Sequence, residues 1–158
     1  MKFLATLLVG AFLVATGGAA FAAGMTGHSL DGTWVMNADK SKFSGPAFKS
    51  QTRTYSEAAD GTVTMAFKGV ASDGSAVSGG STFKYDGNDY PITGSGDYDT
   101  LSGKKVNGTT VKFSVKKFGK VVGTGTRTLS AHGKVLTLTS KIFANGSSYT
   151  STMVFNKQ

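Results

Sequence analysis

The chain has 158 residues, and its 17 Lys and Arg outweigh nine Asp and Glu to give a formal net charge of +8 at pH 7. It contains no Cys, which excludes disulfides, thiolate catalysis, zinc–thiolate sites and iron–sulfur clusters. A chain of this length suits one domain with a single hydrophobic core.

Residues 1–22 have the three parts of a secretory signal peptide. Lys2 supplies the positive start, residues 3–14 form the apolar stretch, and Ala20-Phe21-Ala22 is an A-x-A cleavage site. The apolar stretch is too short for a transmembrane helix, which needs about 20 apolar residues. The sequence therefore predicts an exported protein, periplasmic or secreted and of bacterial type. Its mature part, 23–158, would form one domain with no transmembrane segment.

From Gly32 onward, period-two segments alternate with glycine turns. The chain has 22 Gly and only two Pro, and many turns are Asp-Gly or Asn-Gly pairs, which favour tight hairpins. Between the turns, apolar and polar residues alternate, as in Val63, Met65 and Phe67 with their Thr and Lys neighbours. The predicted strands are 32–36, 49–57, 62–70, 76–86, 88–93, 97–106, 109–117, 120–130, 134–143 and 148–157.

Successive hairpins of similar length favour an antiparallel up-and-down meander. A single sheet of this kind must bury its apolar face, and closing it also removes the exposed edge strands. We therefore predict an all-β fold with about 8–10 strands closed into a lipocalin-like β-barrel. A sandwich of two sheets is the alternative.

Three segments carry a resemblance to a known group of proteins. They are Gly32-Thr33-Trp34-Val35-Met36-Asn37-Ala38-Asp39-Lys40-Ser41-Lys42-Phe43, Lys84-Tyr85-Asp86-Gly87-Asn88-Asp89-Tyr90-Pro91 and Gly123-Thr124-Gly125-Thr126-Arg127-Thr128. The Gly-x-Trp start resembles the lipocalins and related calycin barrels. Together the segments resemble secreted bacterial lipocalin-like β-barrel proteins of uncharacterised function. The resemblance implies a barrel that binds a ligand, and it supplies no catalytic residues.

The same resemblance implies a role for the only tryptophan. In lipocalins the Trp of Gly-x-Trp packs at the closed end of the barrel against a basic side chain from a late strand. The resemblance therefore implies that Trp34 packs at one barrel end, and Arg127 is the candidate partner.

Large apolar residues on the predicted inner faces are the candidate ligand-binding residues. The chain has 11 Phe and five Met, side chains that often line cavities for small hydrophobic ligands. A wider barrel favours a cavity and a narrower one a filled core, and the sequence leaves both open. The candidates are Met65, Phe67, Phe83, Tyr85, Phe113, Leu138, Met153 and Phe155.

Acidic and basic residues are segregated along the chain. All nine acidic residues lie between Asp31 and Asp99, and ten basic residues follow with no acidic one. In a meander this places the basic residues on one side of the barrel. That side either contacts anionic lipid or polysaccharide or only serves solubility, and an exported chain is not expected to bind nucleic acid. The candidate contact residues are Lys104, Lys105, Lys112, Lys116, Lys117 and Lys120.

Few residues offer catalytic or metal chemistry. His28 falls in the predicted N-terminal tail and His132 in a turn, and an isolated turn His is usually only solvated. The acidic residues between Asp86 and Asp99 lack the spacing of an EF-hand loop. We predict no enzyme activity, no cofactor and no metal site.

The sequence leaves two functions open. The first is an exported binding protein for a small hydrophobic or amphipathic ligand held inside the barrel. The second is an envelope-associated structural or interaction protein that contacts anionic lipid or polysaccharide through a basic outer face. A cavity in the barrel would favour the first function.

Overall fold

The computed structural model describes residues 29–144 and 146–158. The predicted signal peptide, 1–22, and His28 lie outside these residues, and export stays a prediction. The described part contains no helix that is long and apolar enough to cross a membrane. Its strands are β1 (Gly32–Met36), β2 (Lys42–Phe43), β3 (Phe48–Glu57), β4 (Val63–Ala71), β5 (Ala76–Phe83), β6 (Tyr90–Pro91), β7 (Thr100–Lys105), β8 (Thr110–Lys117), β9 (Lys120–Leu129), β10 (Val135–Ala144) and β11 (Ser147–Lys157).

The strands form one antiparallel sheet that curls round on itself. Its order is β5-β4-β3-β1-β11-β10-β9-β8-β7-β6, with β2 paired to β11 off this path. Because β1 pairs with both β3 and β11, the N-terminal and C-terminal strands lie side by side. The predicted all-β, up-and-down barrel is therefore confirmed. The long strands pair with their neighbours in sequence, except that β5 and β7 lie near opposite ends of the strand order.

Strand β2 is absent from the sequence prediction. The long strand β11 pairs with β1 near its C-terminus and with β2 further back, at Ser151 and Thr152. A turn over 37–41 separates β1 from β2, and in it the Ser41 hydroxyl donates to Asn37 O at 2.7 Å. A strand of two residues is too short for alternation to reveal.

The predicted strands 88–93 and 97–106 are shorter in the structure. β6 has only two residues and ends at Pro91, while β7 begins at Thr100. Pro91 has no N–H to donate to a sheet, and the two-glycine segment that follows, 92–99, runs as a loop.

The barrel closes where β5 meets the chain after β6. Thr93 N donates to Gly80 O at 3.0 Å, and Gly80 N donates to Thr93 Oγ1 at 3.1 Å. The Ser81 hydroxyl donates to Pro91 O at 2.7 Å. A Cβ atom on Gly79 would lie 2.2 Å from Thr93 O, so only glycine permits this backbone approach. The closure therefore depends on a few hydrogen bonds and on close backbone packing.

The barrel has two ends, each carrying its own set of turns. The tryptophan end lies beside Trp34 and carries the turns 58–62, 84–89, 106–109 and 130–134. The opposite loop end carries 44–47, 72–75, 92–99 and 118–119.

Trp34 packs at the tryptophan end, where its side chain is fully buried. Its Nε1 donates to Leu30 O at 2.8 Å, which folds the residues before β1 over this end. Lys157 Nζ lies 5.3 Å from the ring centre of Trp34 and donates to Ser29 O at 3.1 Å. The cationic partner of Trp34 is thus a lysine of the last strand.

The prediction that Arg127 packs against Trp34 is wrong. Lys157 faces Trp34 directly in the pairing of β11 with β1, whereas Arg127 lies on β9, three strands away. The Arg127 guanidinium instead stacks on Tyr85, with its Cζ 4.9 Å from the ring centre.

Candidate ligand-binding site

The barrel contains a cavity of about 230 Å³. Small-molecule sites usually have volumes of about 300–1,000 Å³. This cavity is slightly smaller than that range and therefore suits a small organic ligand. Most of its wall is apolar and comes from inward-facing residues of β3, β4, β7, β8 and β10. At the loop end the lining includes Pro46, Ser95 and Tyr98.

Seven of the eight predicted ligand-binding residues line this cavity. Phe155 does not: its side chain is fully buried in the core, and its ring centre lies 5.5 Å from Cζ of Arg53. The seven lining residues are Met65, Phe67, Phe83, Tyr85, Phe113, Leu138 and Met153.

The polar part of the cavity wall is absent from the sequence prediction. Gln51, Arg53 and Tyr55 occupy alternate positions of β3 and all line the cavity. A signal for them was present, because period-two alternation places these three side chains on one face of the strand. They are polar where the inner faces of neighbouring strands carry Val, Met and Phe, and polar residues at inner positions call for a partner or a function.

The Arg53 guanidinium is fixed by its own strand. Arg53 Nε donates to Gln51 Oε1 at 2.7 Å, and Gln51 is almost completely buried, at 2% exposure. Arg53 Nη1 donates to the Tyr55 hydroxyl at 3.4 Å, and its Cζ lies 5.6 Å from the ring centre of Phe67. These contacts hold the charged group against the cavity wall.

The second guanidinium reaches the same wall from β9. Arg127 Nη1 donates to the Tyr85 hydroxyl, and Arg127 Cζ lies 5.5 Å from the ring centre of Tyr55. Burial raises the pKa of Tyr85, although the charge of Arg127 opposes this shift, so Tyr85 carries a neutral hydroxyl at neutral pH. Since Arg53 also contacts Tyr55, both arginines meet around this one ring.

A carboxylate lies at the loop end of the cavity. The Tyr149 hydroxyl donates to Asp97 Oδ2 at 2.5 Å and so links β11 to the 92–99 loop. Burial raises the pKa of Tyr149, and the hydrogen bond and negative charge of Asp97 raise it further. Both residues line the cavity, so this end has acidic and phenolic groups whereas the inner wall has two cations.

A second depression of about 390 Å³ lies outside the cavity at the tryptophan end. Tyr85, Val111 and Arg127 line both spaces. The Arg127–Tyr85 pair therefore belongs to the layer that separates the cavity from this outer depression.

Two of the six predicted contact lysines are engaged by acidic residues. Lys105 Nζ lies 3.2 Å from Glu57 Oε1 and 5.2 Å from the ring centre of Tyr85, at the tryptophan end. Lys116 Nζ lies 2.6 Å from Asp89 Oδ2. The charge segregation in the sequence thus overstated the basic side, because β-pairing and turns bring acidic residues from the first half against it.

The other four lysines fall into two places. Lys104 and Lys112 are direct partners on β7 and β8, while Lys117 and Lys120 flank the turn between β8 and β9 at the loop end. None of these four forms an ion pair with the residues that the structure describes. The six lysines are therefore spread over both barrel ends and the wall between them.

Among the described residues, no three His, Cys, Asp or Glu side chains are grouped so as to hold a metal ion. Asp86 is occupied by protein donors, with Asn88 N at 2.9 Å and the Tyr90 hydroxyl at 2.8 Å. These hydrogen bonds, that of Asn88 first, lower the pKa of the Asp86 carboxyl. His132 is exposed in its turn.

Comparison with known proteins gives similarities of structure alone. No family model matches the chain, and no curated protein matches its sequence. Among solved structures, the chain is similar to EF1p2_mFAP2b bound to DFHBI, at 14% identity and a TM-score of 0.46 over 82% of this chain and 94% of that one.

Two further solved structures are also similar. A redesigned β-barrel, mFAP1, bound to DFHBI has 17% identity and a TM-score of 0.41 over 78% of this chain and 93% of that one. The tryptamine complex of the amine binding protein of Rhodnius prolixus has 13% identity and a TM-score of 0.44 over 82% and 64%. Similarities at this level carry no argument about function.

Proposed function

We propose that this protein binds a small amphipathic organic molecule inside its barrel and does not convert it chemically. The observation that carries the proposal is the cavity of about 230 Å³ in a domain of this size. Ordinary protein cores pack as densely as organic crystals and leave few voids larger than a water molecule. A cavity that persists among large side chains is therefore a feature to be filled by a ligand.

The cavity wall has an apolar part and a polar part, and for this reason we expect the ligand to be amphipathic. Met65, Phe113 and Leu138 belong to the apolar part of the wall, which takes the hydrophobic part of a ligand. Arg53 and Arg127 belong to the polar part and bring charged hydrogen-bond donors to it. A purely apolar molecule would leave these donors dehydrated without an acceptor, which costs free energy.

Binding is tested by ligand-dependent stability. We expect the purified protein to be stabilised by at least one of decanoate, decanol, decylammonium and Nile red. A ligand at a hundredfold excess over its Kd adds about 2.7 kcal/mol to the free energy of unfolding, which a shift in the thermal midpoint reports. An unchanged midpoint with every probe, together with no heat of binding by calorimetry, would contradict the proposal.

A cavity-filling variant assigns the effect to the cavity. Ser151 lines it, half-buried, with its hydroxyl 2.8 Å from that of Ser140. We expect Ser151→Phe to place a ring in the cavity and abolish the ligand-dependent shift. Ser148→Phe is the matched control, because Ser148 is exposed on the same strand, and it should respond to ligand as the original protein does.

We also propose a second candidate function, contact of the loop end with an anionic lipid surface. Three large hydrophobic side chains are exposed on neighbouring parts of β8–β10 near this end: Phe118 at 86%, Val121 at 58% and Phe143 at 55%. Lysines accompany the two aromatic rings, with Lys117 Nζ 4.9 Å from the Phe118 ring centre and Lys141 Nζ 5.2 Å from that of Phe143.

This combination matches the chemistry of a bilayer interface. Exposed aromatic and apolar groups insert at the level of the headgroups, and each nearby lysine adds about 1 kcal/mol of attraction to anionic lipid. The backbone also presents the phenylalanine, because Phe118 has a positive φ of 50° and its N–H donates to Asp99 Oδ2 at 3.0 Å. The hairpin tip therefore holds its ring in solvent.

Vesicle binding tests the second function. We expect co-sedimentation with phosphatidylglycerol vesicles that weakens as salt is raised, and little with phosphatidylcholine vesicles. Phe118→Ser should lower the binding by about ten- to a hundredfold, since burial of this side chain is worth about 1.5–3 kcal/mol. Val106→Ser is the control, because Val106 is 53% exposed at the opposite end. Binding that is indifferent to Phe118→Ser or to salt would rule this surface out.

A further inference from the structure

We infer that the ligand of the barrel is an organic anion, whose carboxylate or phosphate group is bound by Arg53 and Arg127 at the inner wall. This inference rests on the proposed ligand-binding function and names the chemical class of the ligand.

The placement of the cationic residues is the first observation that favours an anionic ligand. The chain has only two arginines, and both line the cavity, whereas no lysine of the described residues does. Arginine remains charged under all ordinary conditions and presents a planar fork that matches a carboxylate or phosphate. Lysine, a strongly hydrated point charge, is the residue that this chain uses outside the cavity. Among the described residues, the cations of the cavity wall are therefore both arginines, of which Arg127 also borders the outer depression.

The lack of an acidic partner carries the second step. The ion pairs in the described part of the chain join Lys84 to Asp60, Lys105 to Glu57 and Lys116 to Asp89, and neither arginine takes part in one. Both arginines are nevertheless half-buried, and a partly buried cation without a counterion costs free energy. An anionic ligand would supply that counterion.

The geometry of the donors carries the third step. Arg53 donates N–H groups to Gln51 and Tyr55, and Arg127 donates one to Tyr85. Several donors on each guanidinium therefore have no acceptor among the residues that the structure describes. The hydroxyls of Tyr55 and Tyr85 accept these bonds and keep their own hydrogens to donate. The rings and the buried amide also hold both guanidiniums in place before a ligand arrives, which reduces the cost of binding.

The charge along the cavity sets the direction in which the ligand binds. Asp97, the acidic residue of the lining, lies at the loop end, while the two arginines lie on the inner wall. An anion is repelled at the first place and attracted at the second. The headgroup should therefore lie deep in the barrel, with the apolar part of the ligand among the aromatic and aliphatic walls towards the loop end.

Headgroup selectivity tests the inference. Calorimetric titrations would compare decanoate, decyl phosphate, decanol and decylammonium, which share one chain and differ in the headgroup. We expect decanoate or decyl phosphate to bind at least about tenfold more tightly than decanol, because charge-assisted hydrogen bonds are stronger than neutral ones. Which of the two anions binds more tightly identifies the headgroup. Decylammonium should bind most weakly.

Substitution of the arginines assigns that preference to them. We expect Arg53→Gln and Arg127→Gln each to remove most of the preference for the anion over decanol while decanol binding is retained. Arg127→Lys should keep part of it, since the charge remains but the fork is lost. Lys68→Gln, an exposed lysine on β4, removes the same charge outside the cavity and should change nothing. The unfolding midpoint of each variant without ligand shows that the barrel is intact.

The possible failures are distinguishable. If decanol or decylammonium binds as tightly as both anions, or if the arginine variants keep the anion preference, the inference is wrong and the proposed binding function stands. If only Nile red binds, the inference is wrong and the proposed binding function stands; if neither the four decyl probes nor Nile red binds, the binding function fails together with the inference.

Discussion

Replacement of Trp34 by alanine is expected to lower the free energy of unfolding by about 3–5 kcal/mol, the usual cost of removing a large buried aromatic side chain. Trp34 is fully buried, and its loss would leave a cavity at the tryptophan end. It would also leave Leu30 O without the indole donor, which now lies 2.8 Å away. Urea unfolding followed by far-UV circular dichroism measures the effect without relying on the only tryptophan.

Two further variants test whether the loss of stability comes from the buried side chain of Trp34. Trp34→Phe retains a ring but not the N–H, and should cost about 1–2 kcal/mol through the unpaired carbonyl of Leu30 together with the smaller volume. It supplies a measurement if the alanine variant fails to fold. Val35→Ala, next along β1 but on the outer face, should cost less than about 1 kcal/mol. Equal unfolding midpoints for Trp34→Ala and Val35→Ala would show that Trp34 does not hold this end together.

The strands of the barrel could be predicted because their signals are local. Alternation in β4 and β8, and glycine turns between strands, are properties of a few consecutive residues. The structure keeps every long predicted strand within a few residues. Where the local signal is short or conflicting, as at β2 and at Pro91, the prediction missed the strand or overestimated its length.

The polar half of the site could not be predicted in the same way. Alternation places Arg53 on the inner face of β3 and Arg127 on that of β9, but it does not say which inner residues meet. That depends on how many strands separate them and on their register, which are properties of the whole sheet. The same reason explains why Arg127 was predicted to contact Trp34 in place of Lys157: the alternation of residues does not give the register of the strands.

The distribution of charge failed as a guide for a related reason. Counting charges along the chain treats residues 101–158 as uniformly basic, yet Lys105 pairs with Glu57, 48 positions earlier. Lys116 likewise pairs with Asp89, 27 positions earlier. Long-range pairing in a closed sheet brings the two halves of the chain into contact, so a linear charge map overstates any single-sign surface.

Replacement of Gly79 by alanine is expected to lower the free energy of unfolding by about 2–4 kcal/mol, although it adds only one methyl group. A Cβ atom at this position would lie 2.2 Å from Thr93 O and 2.7 Å from Gly94 Cα, and backbone atoms cannot rotate away as a side chain can. The chain after β6 would have to move off β5, which breaks the hydrogen bonds between Thr93 and Gly80 that close the barrel.

The position next to this contact explains why the strand cannot simply shift towards the interior. Gly94 has a φ of 87°, and a Cβ atom there would lie 2.4 Å from Ser78 O of β5 and 2.7 Å from the ring of Phe67, which lines the cavity. The 92–94 segment thus packs closely against both β5 and a ring of the cavity wall. Relief of the clash at Gly79 should therefore open the closure instead of repacking it.

A matched substitution in the same loop separates this clash from the general effect of replacing glycine. Gly96 has no atom within 4 Å of its would-be Cβ and no positive φ, so Gly96→Ala should change the free energy of unfolding by less than about 0.5 kcal/mol. Urea midpoints for both variants, with hydrogen exchange at the amide of Thr93, give the comparison. Faster exchange at Thr93 in Gly79→Ala alone would place the loss at the closure, since the two variants make the same chemical change. If both variants unfold at the midpoint of the original protein, the β5 contact contributes nothing to stability and the barrel is held closed elsewhere.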